Sequence, residues 1–283
     1  MRIAEEKKKA MLREKIQDAV RAVKATNPMA GSVTNTVTMN FVANAQLAVG
    51  GSAAMVFLPD EGEFLVSAGN AVYCNVGTLI PISKETLPRT AKAAHEAGKV
   101  CVLDPVGIGI GSLRTEILTA ARPHKPKIIR GNASEIIALR NLWKIESGTF
   151  ANKARGVDST ESVDQAAEAA VELANYTGGA VAVSGASDLV TDGSIIVRTE
   201  GGSEMMTRVT GSGCSLGGVM AVYACVTDPF TAALTGALVY NLAGERAEKK
   251  AEGPGTFYAK FLDELYLATA EEIAASSFTV TEV

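Results

Sequence analysis

Short apolar runs alternate along this chain with longer segments in which apolar residues recur every three or four positions. The short runs are typical of strands buried on both faces, and the longer segments are typical of amphipathic helices. Because parallel strands need crossover connections, this alternation predicts an α/β fold with a mostly parallel central sheet flanked by helices. The predicted strands are 53–57, 70–76, 99–106, 126–130 and 178–185, and the predicted helices are 4–25, 36–49, 83–98, 112–122, 132–142, 161–175, 213–226, 228–250 and a segment after 255.

Turn and capping residues add two local predictions. Thr34 or Asn35 is the expected N-cap of the second helix, since Ser, Thr, Asp and Asn satisfy free backbone N–H groups there. The Asp192-Gly193 pair predicts a β-hairpin over 188–199, because this dipeptide suits a two-residue turn.

Composition limits the number of domains. The chain has 283 residues, of which 47% are hydrophobic and 20% charged, so a sizeable core is expected and a mostly disordered chain is excluded. No repeat, low-complexity tract or long linker appears, and 143–160 is the weakest candidate for a boundary. We therefore expect one domain over 1–283, opened by an amphipathic helix within 1–26.

Charge and cysteine content limit the possible partners. The net charge is -4, so no basic surplus favours nucleic acid or an anionic membrane. The first residues contain no apolar signal segment, and no run approaches the ~18 apolar residues of a membrane span. The four cysteines form no C-x-x-C pair, and only two histidines are present, which disfavours a zinc site. These features predict a cytoplasmic protein with neither a nucleic-acid nor a membrane partner.

The segment 209–218 combines glycines with a cysteine at the start of an apolar helix. Gly211 and Gly213 allow a tight turn, and the helix start offers free N–H donors and a positive dipole, so we expect an anion site there. Cys214 lies in the first turn, where the pKa of a thiol tends to fall. The pattern suits phosphoryl transfer, with Cys214 receiving the proton of the acceptor hydroxyl. The alternative is a glycine-rich helix cap beside a buried cysteine.

A second candidate element follows the strand 126–130. Asn132 and Glu135 are three residues apart at a helix start, so they share a face on which they can order water or Mg²⁺ near phosphates. Arg130 ends the predicted strand, and ligands of parallel sheets bind beyond the carboxyl ends of strands, so an arginine there can contact phosphate. The alternative for Asn132 and Glu135 is a capping box that only stabilises the helix.

Three further candidates lie in or after predicted strands. Asp104 follows a buried strand and is either a carboxylate ligand of Mg²⁺ or a turn former. Ser184 offers a hydroxyl at the same sheet edge, and Met55 by default fills the core. The glycines after Asp104 do not match the dinucleotide fingerprint, and a P-loop is absent, so a nicotinamide-dependent oxidoreductase ranks last.

Taken in order, these segments resemble the hydroxyethylthiazole kinase family, a member of the ribokinase-like superfamily. The resemblance runs from about residue 28 to 267, and RGNASE followed by VTGSGC is its most specific part. It implies a ribokinase-like fold and ATP-dependent phosphorylation of the hydroxyethyl group of 4-methyl-5-(2-hydroxyethyl)thiazole, in thiamine biosynthesis or salvage. It also implies Mg²⁺ and a homotrimer with sites near the subunit interfaces. The matching segments are VTNTVTMNFVANAQLAVGGSAAM, VGTL, VLDPVG, RGNASEI, GVDS, VTGSGC, TDPF and EGPGTF.

The resemblance implies a role for each candidate residue. Cys214 matches the position near the acceptor hydroxyl, where ribokinase relatives usually have Asp. The positions matched to the thiazole site are Met55, Gly211 and Asn35, those matched to the ATP site are Arg130 and Ser184, and those matched to Mg²⁺ and phosphate are Asp104, Glu135 and Asn132.

One position departs from the family pattern. The family usually has a histidine where this chain has Gly31, which leaves the identity of the acceptor alcohol open. The alternatives are a ribokinase-like kinase for another small heterocyclic alcohol and a catalytically silent small-molecule binding protein of the same fold. A nucleotide-dependent hydrate dehydratase would have little use for Cys214, and a silent protein would need neither Arg130 nor Glu135.

Overall fold

A single sheet forms the centre of the molecule in the computed structural model, which describes residues 2–145 and 163–283. The strands of this part of the chain are β1 (Met29–Val33), β2 (Ser52–Met55), β3 (Ala71–Asn75), β4 (Val100–Asp104), β5 (Ile128–Asn132), β6 (Ala180–Ser184), β7 (Asp188–Thr191), β8 (Ile195–Thr199) and β9 (Phe278–Glu282). Their order is β2-β1-β3-β4-β5-β6-β7-β8-β9. Strands β1 to β6 are parallel, whereas β7, β8 and β9 are antiparallel to their neighbours. The predicted α/β fold with a mostly parallel sheet is confirmed.

Helices cover both faces of this sheet. In the described residues they are α1 (Arg2–Thr26), α2 (Met39–Ala48), α3 (Pro59–Ala68), α4 (Ser83–Glu96), α5 (Ser112–Ala121), α6 (Ala133–Leu142), α7 (Val163–Thr177), α8 (Ser212–Ala224), α9 (Pro229–Glu248), α10 (Pro254–Leu267) and α11 (Ala270–Ala275). Short 3-10 turns lie at Arg122–His124 and Glu204–Arg208. No helix of the described part is long and apolar enough to cross a membrane.

Two separate hydrophobic cores lie on the two faces of the sheet, because successive strand residues point in opposite directions. Tyr73 of β3 and Val102 of β4 belong to the core that includes α1, α2 and α8 to α11. Cys74 and Leu103, the next residues, belong to the core formed with α3 to α7. Burial on both faces explains why the central strands are nearly continuous apolar runs in the sequence.

Several elements were absent from the sequence predictions. Strand β1 lies between β2 and β3, but its sequence MAGSV has low strand propensity, since Gly31 and Ser32 occupy its centre. Helix α3 begins with proline at its first position and acidic residues in its first turn, a start signal that was overlooked. Strand β9 alternates buried Phe278 and Val280 with exposed residues, which is a period-two pattern.

The other predicted helices and strands agree with the structure in type and approximate position. The hairpin over 188–199 is confirmed as β7 and β8, with Thr191 paired to Ile196. The N-terminal helix is confirmed as α1, which buries Leu12, Ile16 and Val20. The GVDS segment at 156–159, and the candidate boundary at 143–160 beyond residue 145, lie outside the described residues.

Candidate active site

A row of polar side chains lies along the carboxyl ends of the parallel strands, on the face covered by α8 and α9. Tyr73, Val102, Ile128 and Ala182 belong to the core on that face. Side chains two positions later in each strand point to the same face. These are Asn75, Asp104, Arg130 and Ser184, on the neighbouring strands β3, β4, β5 and β6.

Arg130 joins two of these strand ends. Its Nη1 donates to Asp104 Oδ2 at 3.3 Å, and its Nη2 donates to Ser184 Oγ at 3.0 Å. The prediction that Arg130 ends its strand was wrong: β5 continues to Asn132, because Arg130 to Asn132 still pair with β6. Arg130 is therefore buried within the sheet edge, where its planar guanidinium serves two partners at once.

Asp104 is completely buried, and one of its oxygens is unpaired. Oδ2 accepts from Arg130 and from the Tyr73 hydroxyl, whereas Oδ1 has no hydrogen-bond partner. Burial raises the pKa of Asp104 to about 6, although Arg130 lowers it and Glu135 raises it further. The carboxyl group is therefore mostly ionised at neutral pH, with Oδ1 free to accept a ligand.

The first turn of α8 approaches Arg130 closely. Gly211 precedes the helix with φ +89°, and a Cβ there would lie 2.8 Å from the Thr38 side chain. A Cβ on Gly213 would lie 2.6 Å from Arg130 Nη2, so only glycine allows this approach. The expected anion site is thus a helix start beside a guanidinium, which is a favourable setting for phosphate.

Cys214 follows Gly213 in this turn, but the structure contradicts the expected fall of its pKa. Burial raises the pKa of the Cys214 thiol above its ordinary value, and the carboxylate of Asp104 raises it further. Arg130 and hydrogen bonds from Asn75 and Thr38 lower it only in part. Removal of the thiolate from water outweighs the helix dipole, so Cys214 carries its proton at neutral pH.

Asn35 lies beside Cys214, on the turn between β1 and α2. Its Nδ2 contacts Cys214 Sγ at 3.8 Å, and its Oδ1 accepts from the Thr38 backbone N–H at 3.1 Å. The N-cap of α2 is Thr38, so the prediction that Thr34 or Asn35 caps this helix was wrong. Asn35 closes the turn before the helix and leaves its amide nitrogen directed at the thiol.

Asn132 and Glu135 form the capping box that the sequence offered as an alternative. Asn132 Oδ1 accepts from the Glu135 N–H at 2.9 Å, and Glu135 Oε2 accepts from the Asn132 N–H at 2.9 Å. Glu135 Oε1 also accepts from the Gly107 N–H at 3.2 Å, which joins the loop after β4 to the start of α6. Among the described residues, no group of three or more His, Cys, Asp or Glu could hold a metal ion alone.

Met55 and Gly31 occupy different surroundings. Met55 ends the edge strand β2, is partly exposed, and packs against the core that also contacts Cys214. A Cβ on Gly31 would point away from this side and lie 2.6 Å from Leu65 Cβ on α3. A side chain at position 31 of this chain would therefore lie on the face opposite Cys214, and Gly31 reflects close packing of α3 on β1.

We expect Gly31→Ala to lower the melting temperature and to leave the KM for the acceptor unchanged in the protein that folds. The added methyl group overpacks the contact with Leu65, which typically costs about 1–3 kcal/mol. Gly255→Ala is the matched control, because a Cβ there meets nothing within 4 Å. A raised acceptor KM with normal thermal stability would return position 31 to the acceptor pocket.

A cavity of about 730 Å³ lies beside the Arg130–Ser184 pair. Its wall includes Asp188, Tyr240 and Asn241, which the sequence analysis missed. Asp188 Oδ1 accepts from the Gly185 N–H at 3.0 Å, and its Oδ2 accepts from Asn241 Nδ2 at 3.1 Å, so this pair holds the turn after Ser184. The available signal for Asn241 was a polar amide directly after the apolar run ALVY of this helix.

Comparisons with known proteins identify the family of this chain. The sequence model of the hydroxyethylthiazole kinase family matches residues 20–271. The hydroxyethylthiazole kinases of Bifidobacterium adolescentis and Bifidobacterium longum are 50% and 49% identical to this chain. Each alignment covers 95% of the chain, together with 95% and 91% of the respective relative.

Solved structures share the fold. The hydroxyethylthiazole kinase of Pyrococcus horikoshii superposes with a TM-score of 0.82 at 31% identity, covering 95% of this chain and 98% of that one. The pyridoxal kinase of Staphylococcus aureus in complex with ADP superposes with a TM-score of 0.59 at 15% identity, over 90% of this chain and 99% of that one, and so shows the fold alone. The extent of the family match and the identity to these relatives show that this chain is a phosphotransferase that belongs to the hydroxyethylthiazole kinase family.

Proposed function

We propose that this chain transfers the γ-phosphoryl group of ATP to the hydroxyethyl group of 4-methyl-5-(2-hydroxyethyl)thiazole, in thiamine biosynthesis or salvage. The observation that carries the proposal is the position of the first turn of α8. There Gly213 lies against the Arg130 guanidinium, and the next residue, Cys214, lies beside the Asn35 amide. A phosphoryl group bound at this helix start would lie between Arg130, on the side of ATP, and Cys214, on the side of the acceptor alcohol. Such positioning is the main requirement of phosphoryl transfer.

On the ATP side, Arg130 and Ser184 bind phosphate oxygens in this proposal. Each Nη of Arg130 carries a second N–H besides the one given to Asp104 or Ser184. The backbone N–H groups of Gly213 and Cys214 have no acceptor among the described residues. Together they supply a cluster of donors next to a cavity large enough for a nucleotide.

On the acceptor side, the thiolate form of Cys214, a minor fraction at neutral pH, receives the proton of the alcohol. Asn35 orients the sulfur or the hydroxyl through its amide, and Gly211 leaves room beside Thr38. Met55 contributes an apolar surface for the thiazole ring at the end of β2. A neutral heterocycle suits this side, because the side chains of Met55 and Asn35 carry no charge.

Mg²⁺ fits the residues present between the two sides. Asp104 Oδ1 is a buried carboxylate oxygen without a partner, and each Glu135 oxygen accepts only one N–H. Mg²⁺ is usually held by one or two carboxylates, water and substrate phosphates, so a larger protein cage is not needed. When bound, the ion neutralises the charge that develops on the phosphates. Asn132 is a weaker candidate, since its Oδ1 already accepts from Ser134 and Glu135.

We expect Glu135→Gln to lower kcat and to raise the Mg²⁺ concentration needed for half-maximal rate, with the thiazole KM nearly unchanged. A carboxylate that orders hydrated Mg²⁺ acts on the nucleotide half of the reaction. The measurement is an initial-rate titration with Mg²⁺ at saturating thiazole. A lower melting temperature with a normal Mg²⁺ response would show that Glu135 acts only through the capping box.

A homotrimer is the expected assembly. Strand β2 is an edge of the sheet with partly exposed residues throughout, and nearby apolar side chains are exposed at Val37, Leu47, Leu58 and Phe64. A second copy of the chain on this edge would cover apolar surface next to Met55 and so complete the thiazole side. Light scattering should give three times the 29.4 kDa of one chain, and a mass near 29.4 kDa would exclude both the trimer and a site built at its interface.

The proposal includes one kinase domain over 1–283, which is supported by a single sheet that joins strands from both ends of the described chain. It also includes a location in the cytoplasm. The deciding experiment is an ATP-consumption assay across a panel of heterocyclic alcohols. We expect the highest kcat/KM with the hydroxyethyl thiazole. Higher turnover with another alcohol would establish a kinase for that acceptor, and binding without turnover of any alcohol would establish a silent binding protein.

A further inference from the structure

A continuous chain of hydrogen bonds runs across the carboxyl ends of β4, β3 and β1, from the phosphate side of the site to the acceptor side. The Tyr73 hydroxyl lies 3.0 Å from Asp104 Oδ2 and 2.8 Å from Asn75 Nδ2. Asn75 Oδ1 then accepts from Asn35 Nδ2 at 2.9 Å, and the same Nδ2 contacts Cys214 Sγ at 3.8 Å. This series of hydrogen bonds therefore ends at the Cys214 thiol, on the acceptor side of the site.

Each hydrogen bond of this series has only one possible assignment of donor and acceptor. The Asn75 amide nitrogen can only donate, so the Tyr73 hydroxyl accepts from it and must give its own proton to the carboxylate of Asp104. Asn75 Oδ1 accepts from the Gly77 backbone N–H at 2.8 Å, which fixes the rotation of that amide. Asn35 Oδ1 accepts from the Thr38 N–H, which fixes the next one and leaves an Asn35 N–H for the sulfur.

Tyr73 links the phosphate side of the site to its acceptor side. It is fully buried, and its ring passes beneath α8 at Gly217, one turn after Cys214. A Cβ on Gly217 would lie 2.4 Å from the Tyr73 ring and 2.9 Å from its hydroxyl, so the helix is shaped around this side chain. Within the described part of the chain, the hydroxyl hydrogen-bonds to Asp104 and Asn75, and Tyr73 is not a lining residue of the cavity.

We propose that Tyr73 is a positioning residue that holds Asn75, and through it Asn35, in the orientation that presents the Asn35 amide to Cys214 and the acceptor alcohol. This inference rests on the proposed function of Asn35 and Cys214. Without the Tyr73 hydroxyl, the buried Asn75 nitrogen loses its acceptor, and the Asn75 amide is then held only at its oxygen, by Gly77 and Asn35.

The test is a double-mutant cycle between Tyr73→Phe and Asn35→Ala, in the full-length enzyme with ATP, Mg²⁺ and the hydroxyethyl thiazole. Tyr73→Phe keeps the ring under Gly217 and removes only the hydroxyl. We expect it to lower kcat/KM for the alcohol about tenfold, while the KM for ATP changes less than twofold. In the Asn35→Ala background the same substitution should have a much smaller effect, because its main route to the acceptor passes through Asn35 and only the contact of Asn75 with Cys214 remains.

Tyr223→Phe is the matched control, a buried tyrosine of α8 outside the cavity wall, and should leave both kinetic constants unchanged. Equal losses from Tyr73→Phe in both backgrounds, or equal losses for ATP and the alcohol, would overturn the inference and indicate a general structural role. If Asn35→Ala itself leaves kinetics for the alcohol unchanged, the proposed acceptor site fails, and this inference fails with it. Should Tyr73→Phe not fold, Asn75→Ala must show the same acceptor-specific loss, and this loss must be clearly smaller in the Asn35→Ala background.

Discussion

We expect Cys214→Ala to lower kcat by about one to four powers of ten while the protein remains folded. A general base typically contributes about 10²–10⁴-fold, and phosphoryl transfer depends more on positioning than on proton abstraction. Cys214→Ser should resemble Cys214→Ala, because a hydroxyl cannot act as a base near pH 7. An unchanged kcat in Cys214→Ala would make Cys214 a packing residue and leave catalysis to the helix start and Arg130.

The pH dependence of the rate distinguishes a role of Cys214 as general base from a role in packing only. Burial and Asp104 raise the pKa of Cys214, so the thiol is protonated at pH 7 and its thiolate fraction grows as pH rises. The rate of the parent enzyme should therefore increase above pH 7. Cys214→Asp should remain active and match or exceed the parent at pH 7, with a flatter profile, since a carboxyl group ionises at lower pH than a thiol. A flat profile in the parent would contradict proton transfer to Cys214.

We expect Arg130→Ala to remove most ATP-dependent activity and to destabilise the fold. The substitution leaves the buried Asp104 carboxylate without its cation, and breaking a buried ion pair in this way typically costs about 3–5 kcal/mol. It also removes charge-assisted donors from the proposed phosphate site. The measurements are the melting temperature and the kinetic constants for ATP. An unchanged KM for ATP together with an unchanged kcat would exclude Arg130 from the site.

Arg130→Lys distinguishes the two roles of this residue. A lysine keeps a positive charge near Asp104, so most of the lost stability should return. Its single ammonium cannot serve Asp104, Ser184 and a phosphate in the planar geometry of a guanidinium, so activity with ATP should stay low. Full recovery of both properties would mean that only the charge matters at this position.

The outline of the fold followed from local patterns, and its exceptions have particular causes. Strands β3, β4 and β6 lie between two cores and were visible as apolar runs. Strand β1 lies between the same cores but contains Gly31, because Leu65 of α3 occupies the space of a side chain there. Strand propensity carries no information about that neighbour, which is 34 positions away in the chain. This is a case in which tertiary packing overrides a local preference.

The candidate site likewise contains residues that the sequence indicated and residues that only the structure revealed. Glycines at 211 and 213 before an apolar helix, and Arg130 at the end of a predicted strand, were enough to expect a phosphate site. Tyr73 and Asn75 were missed because both lie inside or at the end of an apolar run and pair with residues of other strands. A polar residue ending a buried parallel strand was the only local signal for Asn75.

The sequence by itself determined the alternation of strands and helices, the residues at the strand ends and the family to which the chain is similar. These depend on side-chain pattern and local spacing, which a single chain displays directly. The tertiary structure alone decided which strand ends are neighbours, that Arg130 pairs with Asp104, and that burial raises rather than lowers the pKa of Cys214. The physical reason is that burial and charge proximity join residues far apart in sequence, so their effect on protonation exists only once the sheet and α8 have assembled.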